Sequence, residues 1–213
     1  MKNKTSQIRD ISSDIISILK ISQTKGWKDL SALSIIRIIY FSSIFYSFIY
    51  QDKNNSFEGI YTFSVTVRGP ICSDIVSALN YLDSQSIVTL HNLQYSLTSN
   101  TIQKDIQAMP LYKEKYTWFQ TIISILVMYG ESKIYDLIFR DPEYTTNRKR
   151  NDNSIKINSK NETLKYLNKF KELFEANMDK KYKQAMTHEK YLELYLDYVF
   201  SKVLKGTLLD DLK

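Results

Sequence analysis

Several common devices are missing from this chain. It has one cysteine, Cys72, so it cannot form an internal disulfide, which fits a reducing cytoplasm. Histidine is almost as scarce: His91 and His188 stand alone, with no HExxH, CxxC or His–carboxylate cluster near them. Zinc centres need such sets, so no metal is expected. Five glycines and three prolines in 213 residues fall below the usual shares of about 7% and 5%. An architecture of many strands and tight turns needs more of both. Neither GxxxxGK(S/T) nor GxGxxG occurs, which excludes nucleotide binding by those loops, and no cofactor is expected. Residues Met1 to Lys20 carry no continuous apolar run and no small-residue cleavage site, so they do not read as a secretory signal.

What is present is ordinary in bulk and unusual in detail. A hydrophobic share of 43% and a charged share of 24% are those of a globular protein. The length allows one large domain or two small ones, with a core that needs no staple. Lys and Arg number 29 against 23 Asp and Glu, a net charge of +6. Sixteen Tyr and ten Phe raise the aromatic share to 13%. Tyr has an apolar body with a polar tip, so it suits cores and buried protein surfaces alike. The composition favours a mainly α fold with a small β part, rich in protein contacts.

The periodicity divides the chain into five parts. In residues 1–29, Ile8, Ile11, Ile15, Ile18 and Leu19 form the stripe of an amphipathic helix, with Arg9, Asp10 and Asp14 off it. Residues 30–98 read as a winged-helix-like module: an apolar helix from Leu30 to Tyr50, a strand from Phe57 to Val67, a helix from Ile71 to Ser86, and a hairpin of 87–90 and 93–97 turning on His91-Asn92. The stretch from Leu30 to Tyr50 is long enough to cross a bilayer. A central Arg37, however, costs about 2.5–3.5 kcal/mol there, and five serines dilute the run, so it reads as a buried helix. Residues 99–144 hold central helices, with Trp118 to Tyr129 as a buried one. Residues 145–160 are polar and Asn-rich and read as a mobile loop. Residues 161–213 form a helical C-terminal region, with helices at 162–176 and 188–204.

Chemistry-bearing residues are few. Cys72 follows Gly69-Pro70 near a helix N-terminus, where the macrodipole lowers a thiol pKa. With His91 it would make a Cys–His nucleophile, but no oxyanion hole or orienting group accompanies it, and a small core residue is the better reading. Asp141 and Glu143 have the spacing of an acid/base or metal pair, yet two acids flanking a proline more often form a solvated turn with helix-capping duty. No catalytic constellation emerges, and an enzyme is not expected. Arg148, Lys149 and Arg150 offer contacts to DNA phosphates, or else keep the polar loop soluble. The helix at 71–86, where a winged helix reads DNA, contains Asp74 and Asp83 and no Lys or Arg, and the hairpin after it has no formal charge. An anionic helix is repelled by phosphate, so the module is expected to bind protein. Aromatic faces at Tyr46, Phe48 and Tyr50 and at Tyr191, Tyr195 and Tyr198 are the expected partner interface.

Four motifs point to a family. GIYTFSVTV, RGPICSDIVSALNYLDSQSIV, YSLT and MYGESKIYDLIFRDPEY, within roughly residues 30 to 145, resemble the middle component of bacterial ABC-three-component systems. That group includes the small subunit of Lamassu-type antiphage defence. The strand-GP-helix-hairpin part is also similar to Panacea-type antitoxin domains. The first resemblance implies a cytoplasmic, non-catalytic scaffold subunit in a hetero-oligomer with an SMC/Rad50-like ATPase and an effector, often a nuclease. Any DNA contact would be indirect or weak, and no membrane is involved. The alternative is an antitoxin or a winged-helix DNA-binding regulator.

Overall fold

The computed structural model describes residues 4–50, 54–98 and 110–204. About 65% of the structure is helical and 11% is strand, all of it in small antiparallel sheets, so the fold is mainly α with a small β part.

Helix α1 (Lys4–Thr24) buries Ile11, Ile15, Ile18 and Leu19 on one stripe, as the spacing predicts. Asp14 departs from that expectation. It lies in the core, 1% exposed, ion-paired with Lys115 at 2.6 Å and accepting a 2.6 Å hydrogen bond from the Tyr61 hydroxyl. After the short strand β1 (Leu30–Ser31), the Ser31 side chain caps helix α2 (Ala32–Ile49) by accepting from the Ser34 amide. Helix α2 is the one described helix long and apolar enough to cross a membrane, yet 78% of it is covered by the rest of the protein. Arg37 is buried within it, its guanidinium 4.5 Å over the Tyr135 ring.

The expected strand from Phe57 shrinks to β2 (Phe63–Thr66), because 56–60 turn instead. Gly69-Pro70 does not end the β structure as expected: β3 (Gly69–Ile71) folds back on β2 as a hairpin. Gly69 sits at φ +105, and a Cβ there would lie 2.8 Å from Ile138, so both conformation and space demand glycine. Helix α3 (Ser73–Ser84) follows, then β4 (Val88–His91) and β5 (Gln94–Leu97). The turn between them is Asn92-Leu93, one residue later than expected, and both residues have positive φ as a type I′ turn requires. The strand that completes this sheet is β1, in the order β1-β5-β4.

Helix α4 (Pro110–Tyr129) buries Trp118, Phe119, Ile122 and Leu126, and α5 (Glu131–Ile138) buries Ile134, Leu137 and Ile138. The largest correction comes next. Residues 145–160 are not a mobile loop: α6 (Pro142–Arg150) occupies the first part and β6 (Ser154–Ile155) pairs with β2, giving a second sheet ordered β3-β2-β6. Helix α7 (Glu162–Ala176), the short α8 (Lys180–Lys183) and α9 (His188–Leu204) complete the chain. A single apolar core includes Ile11 and Phe200, so the five parts share one interior.

Candidate partner-binding surfaces

Helix α3 directs Ile75, Ala78, Leu79 and Leu82 inward, packed against α1 and α2. Val76, Ser77, Asn80, Tyr81 and Asp83 remain on the outside. Asp74 is half-buried at the first turn, where a carboxylate suits the helix N-terminus, and Gln7 donates to it at 3.3 Å. The outward face of α3 therefore carries negative charge and no cation. Its apolar members, Val76 and Tyr81, are 40% and 48% exposed.

The hairpin β4–β5 adds Leu90 and Leu93 to the exposed apolar residues. Leu93 is 81% exposed and has φ +64. A left-handed conformation costs an L-residue with a bulky side chain about 1–2 kcal/mol, which Gly or Asn would avoid. A leucine that is both solvated and strained contributes little to the chain's own stability.

The expected aromatic interface does not lie on the surface. Tyr46, Phe48, Tyr191 and Tyr195 are 1–3% exposed and belong to the core, while Tyr50 and Tyr198 are partly buried against it. The Tyr46 hydroxyl is used internally: it donates to Glu114 at 2.7 Å, and its pKa is pushed up to about 12 by burial. Six partly buried or buried rings of this kind are accounted for by packing alone. Of them, Tyr198 also lines an open groove of about 570 Å³ with Phe170, Leu173, Phe174, Met178 and Tyr182.

Cys72 is buried, and burial pushes its thiol pKa up rather than down, the opposite of an activated nucleophile. His91, its imagined partner, is exposed on β4. Asp141 and Glu143 do come together, and Asp141 has the capping role expected of it, but the turn is not solvated; they are 1% and 2% exposed. Thr163 donates to one Asp141 oxygen at 2.6 Å; Tyr40, at 2.6 Å, and the Tyr144 amide, at 2.9 Å, donate to the other. Glu143 accepts from the Asn147 side chain at 2.9 Å and from the amides of Lys156 and Glu162 at 3.0 and 2.7 Å. Every carboxylate oxygen already has a protein donor, so the pair clamps α2, α6, β6 and α7 together. Burial outweighs the three donors, and the Asp141 carboxyl is pushed up to about 6. Among the described residues no three His, Cys, Asp or Glu side chains converge as a metal site would require.

Arg148, Lys149 and Arg150 form the last turn of α6, all exposed. Arg68 and Lys156, which composition and pattern did not single out, lie on the same sheet-bearing edge, in the β2–β3 turn and just after β6. No family model, curated protein or solved structure matches this chain.

Proposed function

We propose that this protein is a non-catalytic accessory subunit that binds other polypeptides through the outward face of α3 and the β4–β5 hairpin. In this reading it is a cytoplasmic component of an antiphage complex, bridging an SMC/Rad50-like ATPase and a nuclease-type effector. The order α1, β1, α2, α3, β4, β5, with β1 hydrogen-bonded to β5, supports a winged-helix-like reading in which α3 holds the position of a recognition helix. Residues 50–72, with the β2–β3 hairpin, are then an insertion between the second and third helices.

The observation that carries the proposal is the chemistry of that face. A DNA-reading helix needs Arg, Lys, Asn or Gln at base edges and cations toward phosphate. Here Asn80 is the one such residue, flanked by Asp83 and by exposed Val76 and Tyr81. Leu90 and the strained Leu93 of the hairpin add exposed apolar side chains to the module. Burying one such side chain contributes about 1.5–3 kcal/mol to an interface.

Co-expression with the proteins encoded beside this gene tests the reading. A stable complex with a long coiled-coil ATPase and an effector, lost in Tyr81→Glu and Leu93→Asp variants that still fold, is the expected result. A lone short toxin as the neighbouring product, neutralised by this chain, would replace it with the antitoxin alternative. Sequence-specific DNA binding abolished by Asn80→Ala would replace it with the regulator.

A further inference from the structure

We propose a second surface, separate from α3, that holds the phosphate backbone of duplex nucleic acid. It is built where β2 meets β6 and α6. The pairing Phe63↔Ile155 and Ser64↔Ser154 sets Lys156 beside the Thr62 end of β2. The opposite end of β2 leads through Thr66 into Arg68, and Tyr144 of α6 donates to the Thr66 carbonyl at 2.7 Å. That bond, with the short link from α6 into β6 at 151–153, brings the 148–150 turn to the same end as Arg68. The cations therefore mark out a track with Lys156 at one end of β2 and Arg68 and the 148–150 turn near the other, about 15 Å at about 3.3 Å per strand residue. The exposed hydroxyl of Ser64 lies along it, and such a group donates to phosphate oxygens.

The charge of the track is only partly explained within the fold. Arg148, Lys149 and Arg150 complement the α6 dipole, although the carbonyls of Asn147 and Arg148 already accept from the amides of Asn151, in the left-handed region, and Asp152. On the C-terminal helices, lysines meet carboxylates, as in Lys165–Glu162, Lys183–Glu175 and Lys190–Glu193. Among the described residues, Arg68, Arg148, Lys149, Arg150 and Lys156 form no such pair. Of the acids nearby, Glu143 is buried and bonded to the Lys156 amide, while the exposed Asp152 accepts from the Ser154 amide and hydroxyl, both at 2.9 Å, and is also attracted by Lys156 and Arg150. Five cations on one track can meet at most five phosphates, one each. Three of the five are arginines, which can meet a phosphate with two parallel hydrogen bonds. An acidic polypeptide is the competing occupant. It would want apolar anchors beside the charge, and the track offers only Val67, in the turn before Arg68.

Fluorescence anisotropy of the full chain with a labelled mixed-sequence 30-bp duplex, from 50 to 200 mM NaCl, tests the assignment. The log–log salt slope should be about −0.9 per phosphate neutralised, so about −4.5 if all five cations engage. The triple variant Arg148→Ala/Lys149→Ala/Arg150→Ala should shallow it by about 2.7, and Arg68→Ala by about 0.9. Lys180→Ala/Lys181→Ala on α8 and Tyr81→Ser on α3 should leave it unchanged. No binding at 50 mM NaCl, an unchanged slope in the triple variant, or displacement of the duplex by equimolar polyglutamate would overturn the proposal. Assembly with protein partners is scored separately, so the triple variant can lose the duplex while the α3 interface stands, and Leu93→Asp the reverse.

Discussion

Replacing Asp141 by Asn removes one titrating group from the clamp and leaves its shape. In the folded chain the carboxyl is raised to about 6 from an ordinary 3.8, and it is buried, so solvent screening does not dilute the effect. A raised carboxyl binds protons more tightly when folded than when unfolded. Its contribution to stability is therefore complete below about pH 4 and is lost as pH rises through about 6. About two pH units at about 1.36 kcal/mol each amount to about 3 kcal/mol. An amide in its place cannot titrate, so the Asp141→Asn variant escapes that loss. Its stability relative to wild type should rise by about 2–3 kcal/mol between pH 4 and pH 7. Asp14, also raised by burial, is present in both proteins and cancels in the difference. Urea unfolding followed by far-UV circular dichroism at half-unit pH steps measures it. Two curves that stay parallel from pH 4 to pH 7 would refute the reasoning, since the carboxyl would then titrate normally despite its burial.

Three further outcomes follow from other contacts. Lys115→Met strands the buried Asp14 carboxylate and should cost about 3–5 kcal/mol by urea denaturation at pH 7, whereas Asp14→Leu/Lys115→Met should recover most of it; equal losses would show that the pair acts through volume alone. Leu93→Asn should stabilise the isolated chain by about 1 kcal/mol, read as a higher Tm, while weakening partner assembly. Gly69→Ala should lower stability by at least about 2 kcal/mol, because the new methyl meets Ile138 at 2.8 Å in a backbone conformation hostile to L side chains; an unchanged Tm would mean that α5 shifts freely.

What periodicity could show, it showed. Leu164, Leu167 and Phe170, and Leu192, Tyr195, Leu196 and Val199, repeat at helical spacing, and α7 and α9 end where that spacing predicts. The failures share one cause: part of this interior is polar. Helix α6 is anchored by Glu143, Tyr144 and Asn147 rather than by a leucine stripe, so a pattern of apolar residues passes over it. A signal was nonetheless present, since Asp-Pro-Glu opens a helix and Arg-Lys-Arg-Asn closes one. Asp14 was assigned to the outside by its charge, and its partner is 101 positions away, beyond any local rule. Strand β6 is two residues long and exists only because β2 offers it an edge. The aromatic richness pointed both to a core and to an interface, and packing took the rings at Tyr46, Phe48, Tyr191 and Tyr195. On the candidate surfaces, the missing cations of α3 were plain from composition. Leu93's backbone and Arg68's neighbours were not, because each depends on which turn forms.

The stitch between β2 and β6 has a consequence for synthesis. Strand β2 leaves the ribosome roughly ninety residues before its partner. At about 5–20 residues per second, one side of it waits for roughly 5–18 seconds with its backbone groups unmatched. An exposed strand edge is a template for wrong pairing between nascent chains. Slower translation of the stretch between them should therefore lower soluble yield without altering a single contact in the finished molecule.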